Sequence, residues 1–128
     1  RVSAWANFEY TTPEQIAAGV IDLPADLRAK LCALLTFDAL PTRTEIEDAA
    51  EAIALLADDH LPEDGDHQAM IGGAPWLMSE LEEALLAQRI SPVYAFSRRE
   101  SVEQAQADGS VRKVNVFRHA GFVQAFKA

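Results

Sequence analysis

The sequence predicts an α/β fold: a Rossmann-like, mostly parallel sheet with flanking helices and a C-terminal antiparallel β-hairpin, in one domain over residues 1–128. Three observations carry that expectation. From Met70 to Ser97 a short apolar run stops at Gly72-Gly73, a helical pattern opens at Pro75, and the chain returns through Val93-Tyr94-Ala95-Phe96. That succession reads as strand, glycine turn, helix and strand, the βαβ unit of a parallel sheet. Helical stripes fill the region before it, and Asp108-Gly109 between two alternating runs is a strong hairpin signal.

Val2 to Phe8 reads as the first strand, with Asn7 and Glu9 at its C-terminal end. Thr12-Pro13-Glu14-Gln15 starts a short helix that ends near Gly19. Thr12 caps the free amides, Pro13 suits the first turn, and Gln15 reaches back as in a capping box. Asp22-Leu23-Pro24 opens a second helix with Leu27, Leu31, Leu34 and Leu35 as its apolar stripe. Thr42-Arg43-Thr44-Glu45 is another capping box, and Ile46, Ala49, Ala50, Ile53, Leu56 and Ala57 share a face of the helix that follows. The polar stretch from Asp58 to His67 reads as a loop. It has neither the register of a calcium loop nor a zinc spacing, so no metal is expected. Ser101 to Gln106 and Val111 to Arg118 form the hairpin strands, and residues 119–126 a short strand or tail bent at Gly121.

Apolar residues make up 49% of the chain and charged residues 24%, the balance of a globular domain. No apolar run approaches the ~20 residues of a membrane span, and the first residues lack the apolar stretch of a signal peptide. Cys32 is the one cysteine, which rules out an internal disulfide and fits a cytoplasmic setting. It reads as an inert thiol, because no His lies close to it in sequence. The net charge of −9 argues against a binder of duplex nucleic acid. The charge is divided: residues 1–88 hold 4 Lys/Arg against 17 Asp/Glu, and residues 89–128 hold 7 against 3. An acidic body with a basic last third suits a site for a small anion, and equally a body solvated by acidic helices.

The site expected from this layout lies where strands of the sheet end. Gly72 and Gly73 let a ligand approach the backbone, and the helix after them offers free amides. The turn is not a G-x-G-x-x-G fingerprint, and no G-K-[ST] is present. Trp76 can stack on a base there or simply pack. Ser97 can donate to a phosphate or ribose, and Arg98 or Arg99 can fork onto a phosphate. Adjacent residues of a strand face opposite ways, so only one of the two arginines serves such a site. His119 adds a group that titrates near neutrality, or a structural one. No Ser-His-Asp or Cys-His set and no placed carboxylate pair identifies an enzyme, and no cofactor is implied.

Thr12-Pro13-Glu14-Gln15, the glycine turn, Pro92 to Glu103, Asp108 to Lys113 and Phe117 to Phe122 together carry a resemblance. In that order the chain resembles small stand-alone proteins of the CRISPR-associated Rossmann-fold (CARF) superfamily and uncharacterised relatives carried on mobile DNA. The resemblance covers roughly the first 15 residues and the last 60. It implies a homodimer that binds a cyclic oligoadenylate across its two-fold axis, as a sensor or ring nuclease of phage defence. By position it implies Asn7 and Glu9, Gly72, Gly73 and on to Trp76, and Ser97 with Arg98 along the ligand; His119 joins these candidates by residue type alone. Ala74-Pro75 departs from the polar residue expected in the glycine turn. The alternative is a non-enzymatic dimeric accessory protein without a nucleotide ligand, its interface built on Trp76 and Leu77.

Overall fold

The computed structural model describes residues 2–4, 12–61 and 67–125 of the chain. Its elements are β1 (Val2–Ala4), α1 (Pro13–Ala17), β2 (Val20–Ile21), α2 (Ala25–Leu35), α3 (Arg43–His60), β3 (Gln68–Met70), α4 (Pro75–Ala87), β4 (Ser91–Ala105) and β5 (Val111–Gln124). Both capping boxes form. Thr12 and Thr42 accept from the amides of Gln15 and Glu45, whose side chains accept from the amides of Thr12 and Thr42. α2 ends where the Thr36 hydroxyl bonds back to the Cys32 carbonyl at 2.7 Å.

The strands lie in the order β2-β1-β3-β4-β5. β3 runs parallel to β4, with Gln68, Ala69 and Met70 opposite Ser91, Pro92 and Val93, so the central βαβ unit is present. The sheet as a whole, however, is not the mostly parallel Rossmann-like sheet that the sequence predicts. It is mixed, and its main part is β3 parallel to β4 with β4 antiparallel to β5. The parallel ladders hold two or three register pairs each, whereas the β4–β5 hairpin holds thirteen. The physical reason is local. β2 and β3 are stubs of two and three residues, and β3 stops short of Gly72-Gly73. The hairpin instead closes through the short loop 106–110, with Gly109 at φ +85° and Asp108 accepting from the Ser110 amide at 2.9 Å. A short loop makes antiparallel pairing inexpensive in chain entropy, while each parallel ladder requires a crossover.

Two further expectations shift. The strand at Val93–Phe96 and the first hairpin strand are one continuous β4, and the presumed tail at 119–126 belongs to β5 as far as Gln124. The bend falls at a bulge. Phe96 pairs with Gly121 and Ser97 with His119, which leaves Ala120 unpaired, and Gly121 takes φ +152°.

α2, α3 and α4 pack the larger core over one face of the sheet. Leu31, Ile53, Leu77, Leu81, Leu85 and Ile90 are each no more than 1% exposed. A smaller cluster of Val20, Met70 and Val93 lies apart from it, with Phe122 against it. α1 has no buried residue and touches both β2 and β5.

Candidate functional site

β3 ends at Met70, and Gly73, with φ +101°, turns the chain into α4. No side chain caps the helix at Ala74. A cleft of about 210 Å³ opens beside this turn, lined by Gln15, Met70, Ile71, Gly72, Tyr94 and Ala95. A Cβ added at Gly72 would meet nothing within 4 Å, so open space lies next to the backbone there. Tyr94 belongs to β4 and donates its hydroxyl to Glu82 of α4 at 2.6 Å. Burial, the hydrogen bond to Glu82 and the Glu82 charge all raise the Tyr94 pKa, which holds the phenol neutral.

Past the bulge, β4 and β5 place Ser97 opposite His119 and Arg98 opposite Arg118. Residues directly opposite in an antiparallel pair share a face of the ribbon, so the two arginines stand side by side on one face. Arg118 lies 3.6 Å from Glu100 and 3.9 Å from Glu14, and the His119 amide donates to Glu14 at 2.7 Å. Among the described residues Arg98 forms no ion pair. The His119 ring packs edge-on against Phe122 at 4.9 Å, and its Nδ1 is buried without a hydrogen-bond partner.

The residues singled out in the sequence therefore fall into groups. Gly72 lines the cleft and Gly73 forms its turn. Ser97 and His119 pair on one face of the ribbon and Arg98 lies on the other, two to four strand positions further along, inside β4 and β5 rather than at a strand end. Trp76 is elsewhere. It packs edge-on against Phe37 at a centroid distance of 5.7 Å and stays 45% exposed. Leu77 is fully buried, so the interface expected on Trp76 and Leu77 lacks one of its two anchors. Asn7 and Glu9 lie outside the described residues. Arg99 falls on the other face of the ribbon from Arg98, opposite Phe117. Gln15 and Tyr94 are neighbours of the site that residue type does not reveal, whereas Arg118 reads from the sequence only as a further cation beside His119. Gln15 read as a capping residue and Tyr94 as a strand residue. The juxtaposition of Arg98 and Arg118 depends on a hairpin register that a bulge shifts by one.

The fold is thus that of a small α/β protein with a mixed sheet, a shallow cleft at the end of β3 and a pair of facing arginines beyond it. The chain matches the model of the uncharacterized protein MJ1673 family over residues 6–123, and it belongs to that family. No curated protein and no solved structure matches it.

Proposed function

We propose that the chain binds a small phosphate-bearing ligand between the Gly72 cleft and the Arg98–Arg118 pair, acting as a sensor of that ligand. The observation that carries this reading is the facing of Arg98 and Arg118 across β4 and β5. Like charges directly opposite in a ribbon repel, and an anion bridging two guanidinium forks turns that repulsion into charge-assisted hydrogen bonds. Ser97 and His119, the next register pair, lie on the other face of the ribbon and take no part in this anion contact. The cleft, at about 210 Å³, is smaller than the ~300 Å³ at which drug-sized ligand pockets begin. The ligand therefore extends from the cleft along the ribbon. The resemblance of the C-terminal segment makes a cyclic oligoadenylate the specific candidate. The proposed activity is binding.

The test is a thermal-shift titration with cyclic tri-, tetra- and hexa-adenylate, with inorganic phosphate as a fourth arm. A ligand at 100 times its dissociation constant stabilises the fold by about 2.7 kcal/mol, well within the reach of such a scan. One ring is expected to raise the melting temperature, and Arg98→Ala to abolish the rise. Gly72→Ala sharpens the result. The added methyl meets no protein atom, so the unliganded melting temperature stays put while the ligand shift shrinks. A shift with none of the four anions, or one unaffected by Arg98→Ala, overturns the reading.

A further inference from the structure

Beyond the bulge, β4 and β5 continue as a two-stranded ribbon. Ser97–Ala105 and Val111–His119 pair with one another, and no residue of this stretch is buried. Glu14 ties its base to α1. Further out it presents apolar side chains to water, with Val111 at 60% and Phe117 at 67% exposure. A lone two-stranded hairpin is only marginally stable in water, and its unpaired edges invite another surface. The chemistry of the ribbon says which surface. Arg98, Arg99, Arg112, Lys113 and Arg118 outnumber Glu100, Glu103 and Asp108. Among the described residues Arg112 and Lys113, near the tip, form no ion pair.

The complementary surface lies on the helical side of the same molecule. α3 and α4 enclose an open groove of about 380 Å³, lined by Glu47, Glu51, Glu80 and Glu83 with Ala54, Ala84 and Ala87 at its floor and end. Arg43 answers part of this charge at one end, bonding to Glu47 at 3.0 Å and pairing with Glu80. Four carboxylates around small apolar residues suit a basic, partly apolar ribbon.

We propose that the ribbon of one copy lies in the α3–α4 groove of a second copy, and that the exchange is reciprocal. The proposal is independent of the ligand reading above. Symmetry decides for reciprocity, since a two-fold axis lets each copy give one ribbon and one groove and leaves neither over for a third copy. The groove is lined by residues 47 to 54 of α3 and 80 to 87 of α4, about 12 Å of helix, so it takes the outer part of the ribbon, which carries Arg112 and Lys113. Ribbon-on-ribbon pairing through β5 is disfavoured, because it would bring Arg112, Lys113 and Arg118 of two copies together. The net charge of −9 disfavours nucleic acid as the occupant.

The test is sedimentation of the full chain at about 0.1 M and about 1 M salt, where charges are screened over about 10 Å and 3 Å. The two-copy mass is expected at low salt, with a dissociation constant at least about tenfold weaker at high salt. Arg112→Glu with Lys113→Glu, or Glu47→Lys with Glu51→Lys, is expected to give the one-copy mass. All four substitutions together restore the two-copy mass, because complementarity returns with its signs exchanged. All four positions are exposed, and a thermal melt of each variant confirms that it is folded. Three results overturn the proposal: a one-copy mass for the unaltered chain at every concentration, a two-copy mass indifferent to both charge pairs, and retention of single-stranded RNA or duplex DNA by a one-copy protein. The last would assign the ribbon to nucleic acid. None of the three alters the Arg98-dependent ligand titration, so the two readings fail separately.

Discussion

Arg89 occupies a conformation that glycine ordinarily takes. It follows α4 with φ +61°, while its amide bonds to the Leu86 carbonyl and the Ile90 amide reaches back to Leu85. These two bonds make a Schellman cap, completed by the buried contact of Ile90 and Leu85 in one core cluster. An L-residue at that φ is strained by about 1 kcal/mol. Arg89→Gly is therefore expected to raise unfolding stability by up to about 1 kcal/mol, read as a higher denaturant midpoint at unchanged slope. Tyr94 makes the opposite case. Removing its hydroxyl leaves half-buried Glu82 without its partner, and Tyr94→Phe is expected to cost about 1–2 kcal/mol. The folded state holds the Tyr94 proton more tightly than the unfolded chain does. Its contribution is hence fully present below the unfolded pKa of about 10 and is lost as pH rises through the folded value. Melts between pH 8 and 11 would show the unaltered chain falling more steeply than the variant; parallel curves would contradict the assignment.

At the scale of elements, the molecule joins strongly specified helices to weakly specified strands. α3 is the clearest helix: Thr42 and Glu45 satisfy two of its end amides, and Ala50, Ile53 and Ala57 form its buried face. Thr42→Ala is expected to destabilise the protein by about 1 kcal/mol in chemical denaturation, with no change of fold. This element was legible because cap and stripe are local in sequence. The same logic identified Thr12, Pro75 and the Asp108-Gly109 hairpin. It failed at Val20–Ile21, a strand of two residues too short to show a period, and at the join between Phe96 and Ser97. There the sequence reads as two strands because exposure changes along one, from buried Val93 to exposed Ser97. A burial pattern reports neighbours, and β4 leaves its neighbours halfway along its length.

Across the whole molecule, the acidic body and basic last third visible in the composition become a groove and a ribbon. The expected salt-dependent pairing of copies belongs to this scale, since it depends on charges that no single element brings together. Among the described residues no helix is long and apolar enough to cross a membrane. The candidate site was partly legible. Gly72, Ser97, Arg98 and His119 were named from residue type and from the expectation that strands end near one another. Gly72 lines the cleft, the hairpin register pairs Ser97 with His119 on one face and puts Arg98 on the other, and Trp76 packs against Phe37. By itself the sequence determined the caps, the helical stripes, the central βαβ unit and the hairpin turn, because each rests on residues a few positions apart. Only the tertiary structure decided that the sheet is mixed, that Arg98 faces Arg118 and that no residue of the hairpin beyond the bulge is buried. Those outcomes depend on strand lengths, a one-residue bulge and the reach of the helical layer, and distant parts of the chain settle these together.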